Sequence, residues 1–219
     1  MAARKGKDSY KIPKLEFEGE ENEMTARARQ MLGKELKDYI IGLNNNLYKQ
    51  APNKNESELI HNLFKRLKFE KDSDITTVSE TVIAHNSLTK IQEKNSYGKV
   101  FGGYLMHRAC EAALLNVRRF SGEFNVKIIN IDTIKFIKPV EIGHIVQFRS
   151  RVTYTTNDLI RVAVSTLDIT ESNKEGDLTN EFHFVFKVKN KFREVIPESY
   201  FDALLYLEGK RRTEHLLTY

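Results

Sequence analysis

Asn95, Gly102 and Gly103 stand in the run Asn95-Ser96-Tyr97-Gly98-Lys99-Val100-Phe101-Gly102-Gly103, which leads straight into an apolar stretch of helical period. The first turn of a helix carries backbone N–H groups with no intrahelical acceptor. Glycines there let a ligand atom approach closely, and an amide side chain beside them can hold or orient a carbonyl oxygen. The chemistry on offer is polarisation of an acyl group. The run is not a phosphate loop, because the G-x-x-x-x-G-K-[ST] spacing is absent. Asn95 ahead of Gly98 also suits a plain turn, and paired glycines also suit close helix packing.

The other reactive side chains are less suggestive. Cys110 lies among alanines and reads as a small core residue rather than a nucleophile. His107 has no carboxylate at a spacing that makes a catalytic pair, so a surface or interface position is expected. Glu111 suits a supporting or interface acid, and Asp132 and Lys135 suit sheet-edge or solvent positions. No His, Cys and carboxylate set has metal-ligand spacing, so no metal and no separate cofactor are expected.

The elements that must position these residues follow from patterning. The 219 residues are 40% hydrophobic, enough for a core, and the single cysteine excludes an internal disulfide and favours an intracellular, reducing compartment. No stretch is apolar enough to span a membrane, and the opening Met1-Ala2-Ala3-Arg4-Lys5-Gly6-Lys7 lacks the apolar core of a secretory signal. A net charge of +5 is spread among acids with no nucleic-acid motif, so no nucleic-acid partner is expected. Two basic clusters, Lys187–Arg193 and Lys210–Arg212, could serve a nucleotide phosphate.

Residues 1–72 read as a charged, helical lead-in broken at Ala51-Pro52-Asn53, with Leu59, Ile60, Leu63, Phe64 and Leu67 on one apolar face. Residues 73–219 read as a second region, strand-like apart from one long helix over Phe101–Phe120 that ends at Ser121-Gly122. Strands are predicted over Val126–Ile137, Ile145–Thr155, Leu159–Ile169 and Glu181–Val188, with turns at Glu141-Ile142-Gly143, Thr156-Asn157-Asp158 and Asn173–Asp177. Their short connections predict an antiparallel meander wrapped around the helix. Pro197 opens a last amphipathic helix that Gly209 is expected to stop. The class is α+β, in the hotdog arrangement: a curved antiparallel sheet around one central helix, with a helical N-terminal lead-in and a C-terminal helix. Such a sheet leaves an edge that favours pairing with another hotdog.

Three blocks, Asn95-Ser-Tyr-Gly-Lys-Val-Phe-Gly-Gly-Tyr-Leu-Met106, Phe136-Ile-Lys-Pro-Val-Glu-Ile-Gly143 and Asn180-Glu-Phe-His-Phe-Val-Phe186, resemble the acyl-coenzyme A thioesterase hotdogs. Within that family the likeness is to the second hotdog of the two-domain acyl-coenzyme A thioesterase 9 type. Ala51-Pro52 with Ile60–Phe64 is similar to the linker between the two hotdogs, and Pro197–Tyr200 with Leu205–Arg211 is similar to the C-terminal helix. The resemblance implies a C-terminal half of a longer protein, mitochondrial by family and otherwise cytoplasmic, that hydrolyses fatty acyl-coenzyme A to fatty acid and free coenzyme A. Coenzyme A is then part of the substrate, and the partner is another hotdog, in a homo-oligomer or in the same parent chain.

By the same resemblance, Asn95 matches the loop amide and Gly102 and Gly103 match the backbone donors. Relatives often place an acid seven residues after the second glycine, and here that position is Cys110. Glu111 cannot replace it, because one residue turns the side chain by about 100° around a helix. The implied role is the Asn and oxyanion half of a site whose acid comes from elsewhere. The alternative is a non-catalytic acyl-coenzyme A-binding or assembly half.

Overall fold

The structure, a computed structural model, describes residues 3–5, 8–10, 16, 18–49, 51–69, 74–171 and 176–216, which fall into two compact units, 1–50 and 51–219. In the first unit β1 (Ala3–Lys5) and β2 (Asp8–Tyr10) pair antiparallel, and α1 spans Glu20–Lys49. Glu20, Glu21 and Glu23 sit in the first turn of α1, where negative charge complements the helix dipole. The predicted turn Asn173–Asp177 lies mostly outside the described residues.

The second unit opens with α2 (Lys54–Phe69). Asn53 caps it: its Oδ1 accepts the Glu56 N–H at 2.9 Å, and Glu56 Oε2 accepts the Asn53 N–H at 2.9 Å. Ile60 and Leu63 are buried with Ile196, Ala203, Tyr206 and Leu207, so the predicted apolar face of α2 lies against the C-terminal helix. Next come β3 (Ile75–Thr77), β4 (Ile83–Leu88), α3 (Gly102–Ser121), β5 (Lys127–Phe136), β6 (Ile145–Thr155), β7 (Leu159–Asp168), β8 (Asp177–Lys187), β9 (Glu194–Ile196) and α4 (Tyr200–Leu216).

The sheet order is β4-β6-β7-β8-β5, all antiparallel, and β3 and β9 form a separate parallel pair. The expected four-strand meander is therefore corrected. β6, β7 and β8 do form one, but β5 pairs with β8 at the far edge. The chain must cross three strand spacings, about 14 Å, between β5 and β6. Residues 137–144 can do so, since eight residues reach up to about 27 Å.

α3 lies in the curve of this sheet. Ala109, Ala112, Ala113 and Val117 pack on Phe148, Val162, Phe182, Phe184 and Phe186, and the alanines allow close approach. Gly122, in the left-handed conformation with φ 68°, ends α3 by donating its N–H to the Arg118 carbonyl at 2.9 Å.

α4 crosses the other face of the sheet. Its Gly209 does not stop it, contrary to expectation, because the helix continues to Leu216. A Cβ there would lie 2.7 Å from the Tyr154 Cβ, so the glycine serves close contact with the sheet. Asp132 lies on the edge strand β5, within the expected edge or solvent positions, but it is covered rather than open to solvent. A bulge in β5 between Ile131 and Ile134 accompanies its placement beneath α4, 2.7 Å from Arg161 Nη1 and 3.3 Å from Arg212 Nη1.

Candidate active site

The loop before α3 is built on Asn95. Its Oδ1 accepts the backbone N–H groups of Tyr97 at 2.8 Å and Lys99 at 3.1 Å, and its Nδ2 donates to the Val100 carbonyl at 3.4 Å. Gly98 takes φ 82°, which a side chain would resist. The loop closes where the Phe101 N–H reaches the Glu93 carbonyl at 2.7 Å. Asn95 is thus a turn former, as one reading held, and one N–H of its amide remains beyond these bonds.

Residues 137–144 brace this loop. The Val100 N–H donates to the Val140 carbonyl at 2.9 Å, and Lys99 pairs with the Glu141 carboxylate. Thr89 Oγ1 donates to the carbonyls of Glu141 and His144 at 2.9 and 3.0 Å. Two sequence blocks 40 residues apart therefore form one structure. Nothing in their spacing predicts this contact.

α3 begins without a side-chain cap. Gly102 and Gly103 stand in its first turn, so their N–H groups have no intrahelical acceptor. Both glycines are also packed: a Cβ on Gly102 would lie 2.9 Å from the Phe136 ring, and one on Gly103 would meet the Phe101 ring. The donor and packing readings coexist. Asn95, Gly102 and Gly103 are brought to one helix start.

Glu111 is not. Its carboxylate takes Arg108 Nη1 at 2.6 Å and lies 3.4 Å from the exposed His107. It also acts on the charge of His85 on β4, at the opposite sheet edge from β5. Cys110 is half-buried against the core, and burial pushes its thiol above the usual range, with Glu111 adding to the effect. Neither residue is placed as a base for Asn95. Lys135 pairs with Glu181 at 3.0 Å.

The basic clusters are largely matched within the chain. Lys187 pairs with Asp158 at 2.9 Å, Arg211 makes two bonds to Glu56 at 2.6 and 2.7 Å, and Arg212 bonds Glu208 at 2.6 Å. Sequence reasoning missed a polar pair on the helix side of the sheet. Thr166 and Asn180 are register partners and fully buried, and Thr166 Oγ1 and both Asn180 amide atoms have no hydrogen-bond partner among the described residues. Among the described residues no group of three or more His, Cys, Asp or Glu could hold a metal ion.

Comparison with known proteins settles the lineage. Acyl-coenzyme A thioesterase 10, mitochondrial, of Mus musculus is 30% identical over 181 residues, covering 78% of this chain and 41% of that protein. Acyl-coenzyme A thioesterase 9, mitochondrial, of Homo sapiens is 31% identical over 174 residues, covering 75% of this chain and 39% of that protein. This is a hotdog domain homologous to the acyl-coenzyme A thioesterases. No family model matches the chain.

Solved structures agree on the fold of this thioesterase-type hotdog. An acyl-CoA hydrolase of Staphylococcus aureus, in complex with butyryl coenzyme A and coenzyme A, superposes with TM-score 0.59 at 24% identity, over 66% of this chain and 93% of that one. A hexameric acyl-CoA thioesterase superposes with TM-score 0.60 at 21% identity, over 65% of this chain and 94% of that one. The chain spans about two fifths of the length of the curated relatives it matches.

Proposed function

We propose that this chain supplies the Asn and oxyanion half of an acyl-coenzyme A thioesterase site. The observation that carries the reading is the uncapped start of α3 at Gly102 and Gly103, directly after the loop in which the Asn95 amide donates to the Val100 carbonyl. A thioester carbonyl over this helix start gains hydrogen bonds and the positive helix end as its oxygen becomes an oxyanion. Water is then activated by an acid from a partner hotdog, and the products are a fatty acid and coenzyme A.

The partner is argued from β5. This edge strand turns Ile128, Ile131, Ile134 and Phe136 to the helix side, and they remain 45, 43, 37 and 58% exposed. An exposed apolar edge favours pairing with a second sheet, in a homo-oligomer or with a preceding hotdog of a longer chain. The mitochondrial names of the relatives support a mitochondrial setting for the reaction, which imaging of the tagged protein would test. No helix of the described residues is long and apolar enough to cross a membrane.

The test is release of free thiol from acyl-coenzyme A esters of several lengths, by this chain alone and by this chain produced with a first hotdog. Turnover by the pair is expected. If neither preparation releases thiol, thioester hydrolysis is wrong. A second reading, binding without turnover, is favoured by the half-buried thiol of Cys110 where an acid is expected. Acyl-coenzyme A binding without thiol release would support it.

A further inference from the structure

The outer face of the sheet, crossed by α4, has most of its charges matched: Asp132 with Arg161 and Arg212, and Lys135 with Glu181. Arg149 and Arg151 are different. They stand two apart on β6, on the face opposite the buried Phe148 and Val152, so their Cα atoms lie about 7 Å apart. Arg149 donates from Nη2 to the neutral amide oxygen of Gln147 at 3.0 Å. Arg151, half-buried, has its guanidinium 5.9 Å from the centre of the Phe201 ring. Neither makes an ion pair with a carboxylate among the described residues.

The neighbouring side chains on β7 are small. On β7, Ser165 lies opposite Arg149 and Ala163 opposite Arg151, leaving a shallow floor with one hydroxyl. Phe201 belongs to the first turn of α4, where Asp202 meets the positive end of the helix. The acids nearby are occupied: Glu181 holds Lys135 at 3.0 Å, and Asp202 accepts the Ser199 hydroxyl at 2.6 Å and backbone N–H at 3.2 Å. Burial first, and the like charge of Arg149 second, hold the Arg151 guanidinium below the usual arginine range.

The carboxylates of Asp202 and Glu181 offset part of the Arg151 charge but hold other partners, so a half-buried cation beside a second cation leaves room for a further counter-ion. Planar guanidinium forks match phosphate oxygens in pairs, and a serine hydroxyl can donate to a third. We propose that Arg149, Arg151 and Ser165 bind a phosphate monoester on the outer face of the sheet. This site is on the opposite face from α3 and does not depend on the thioesterase reading. Its ligand is either free phosphate or the phosphate of a nucleotide.

The test uses the full chain in thermal unfolding and titration calorimetry, with inorganic phosphate and with adenosine monophosphate, against chloride at equal ionic strength. At ten times its dissociation constant the ligand is expected to raise the unfolding temperature by about 3–6 °C. Arg151→Met keeps the stem over Phe201 and removes the charge; this variant and Arg149→Gln should lose the response. Arg119→Gln, on α3, should keep it. A nucleotide response without a phosphate response identifies the nucleotide as the source. Equal effects of phosphate, nucleotide and chloride, or a response retained in both Arg149→Gln and Arg151→Met, would overturn the proposal. So would oligomer dissociation in those variants with no phosphate effect, which would make the arginines an interface between copies.

Discussion

The Asn95 side-chain oxygen accepts the backbone N–H of Lys99 at 3.1 Å, so the proposed reactive amide also folds its own loop. An alanine substitution cannot separate these roles. Asn95→Asp can, because a carboxylate keeps the two acceptor bonds from Tyr97 and Lys99 and loses only the Nδ2 donor. The expected outcome is an unfolding temperature close to that of the parent, with kcat for acyl-coenzyme A lowered about 10²–10³-fold. Unchanged turnover would leave Asn95 as a turn former alone.

Cys110 sits seven residues after Gly103, about two turns further along α3 than the donors, and is half-buried. If the site lacks only its acid, Cys110→Asp should give the isolated chain a thioesterase activity about 10²–10⁴-fold above the parent. Adding Asn95→Asp to that variant should remove the gain. Thiol release measured on the single and double variants decides it. No gain in the folded Asp variant would mean that Cys110 does not face Asn95 in the assembly.

His183 is buried beneath α4, and burial first, then the cations Arg212 and Arg161, push its pKa down to about 3. In the unfolded chain the imidazole titrates near its ordinary value of about 6.5. The unfolded state therefore binds the extra proton first, so the stability is fully present above pH 6.5 and is lost as pH falls towards 3. The expected slope from this residue is about 1.4 kcal/mol per pH unit in that window. Urea unfolding of the parent and of His183→Gln at pH 7, 6 and 5 should converge on acidification; parallel profiles would reject the assignment.

The parts legible in the sequence are those with short-range signals. α3 is legible from its apolar period and Gly122, and β6 and β7 from β-rich runs bounded by turn signals, because these are local patterns. The place of β5 beside β8 is not, since strand order is set by long-range pairing and residues 137–144 give no directional signal. The helix-start residues Asn95, Gly102 and Gly103 were legible through glycine placement and family likeness. Their brace, Val100 to Val140 and Lys99 to Glu141, is a tertiary contact that no local pattern encodes. The cover over the outer-face charges was missed for the same reason: Asp132 alternates like a solvent residue until α4 covers it.

Gly209 shows how such a misreading can be tested. A glycine near the end of an apolar period reads as a helix stop, but Gly209 lies inside α4, where propensity alone would favour alanine by about 1 kcal/mol. In the structure its missing side chain admits the Tyr154 Cβ, 2.7 Å from where an alanine methyl would sit, and Arg161 Cδ at 3.2 Å. The Tyr154 Cβ is fixed by its strand and cannot swing away, so α4 itself must lift. The overpacking cost of about 1–3 kcal/mol exceeds the propensity gain. Gly209→Ala should therefore lower stability in urea unfolding and weaken the α4 contact that covers Arg161. A variant as stable as the parent, or more so, would show that α4 does not lie this close to β6.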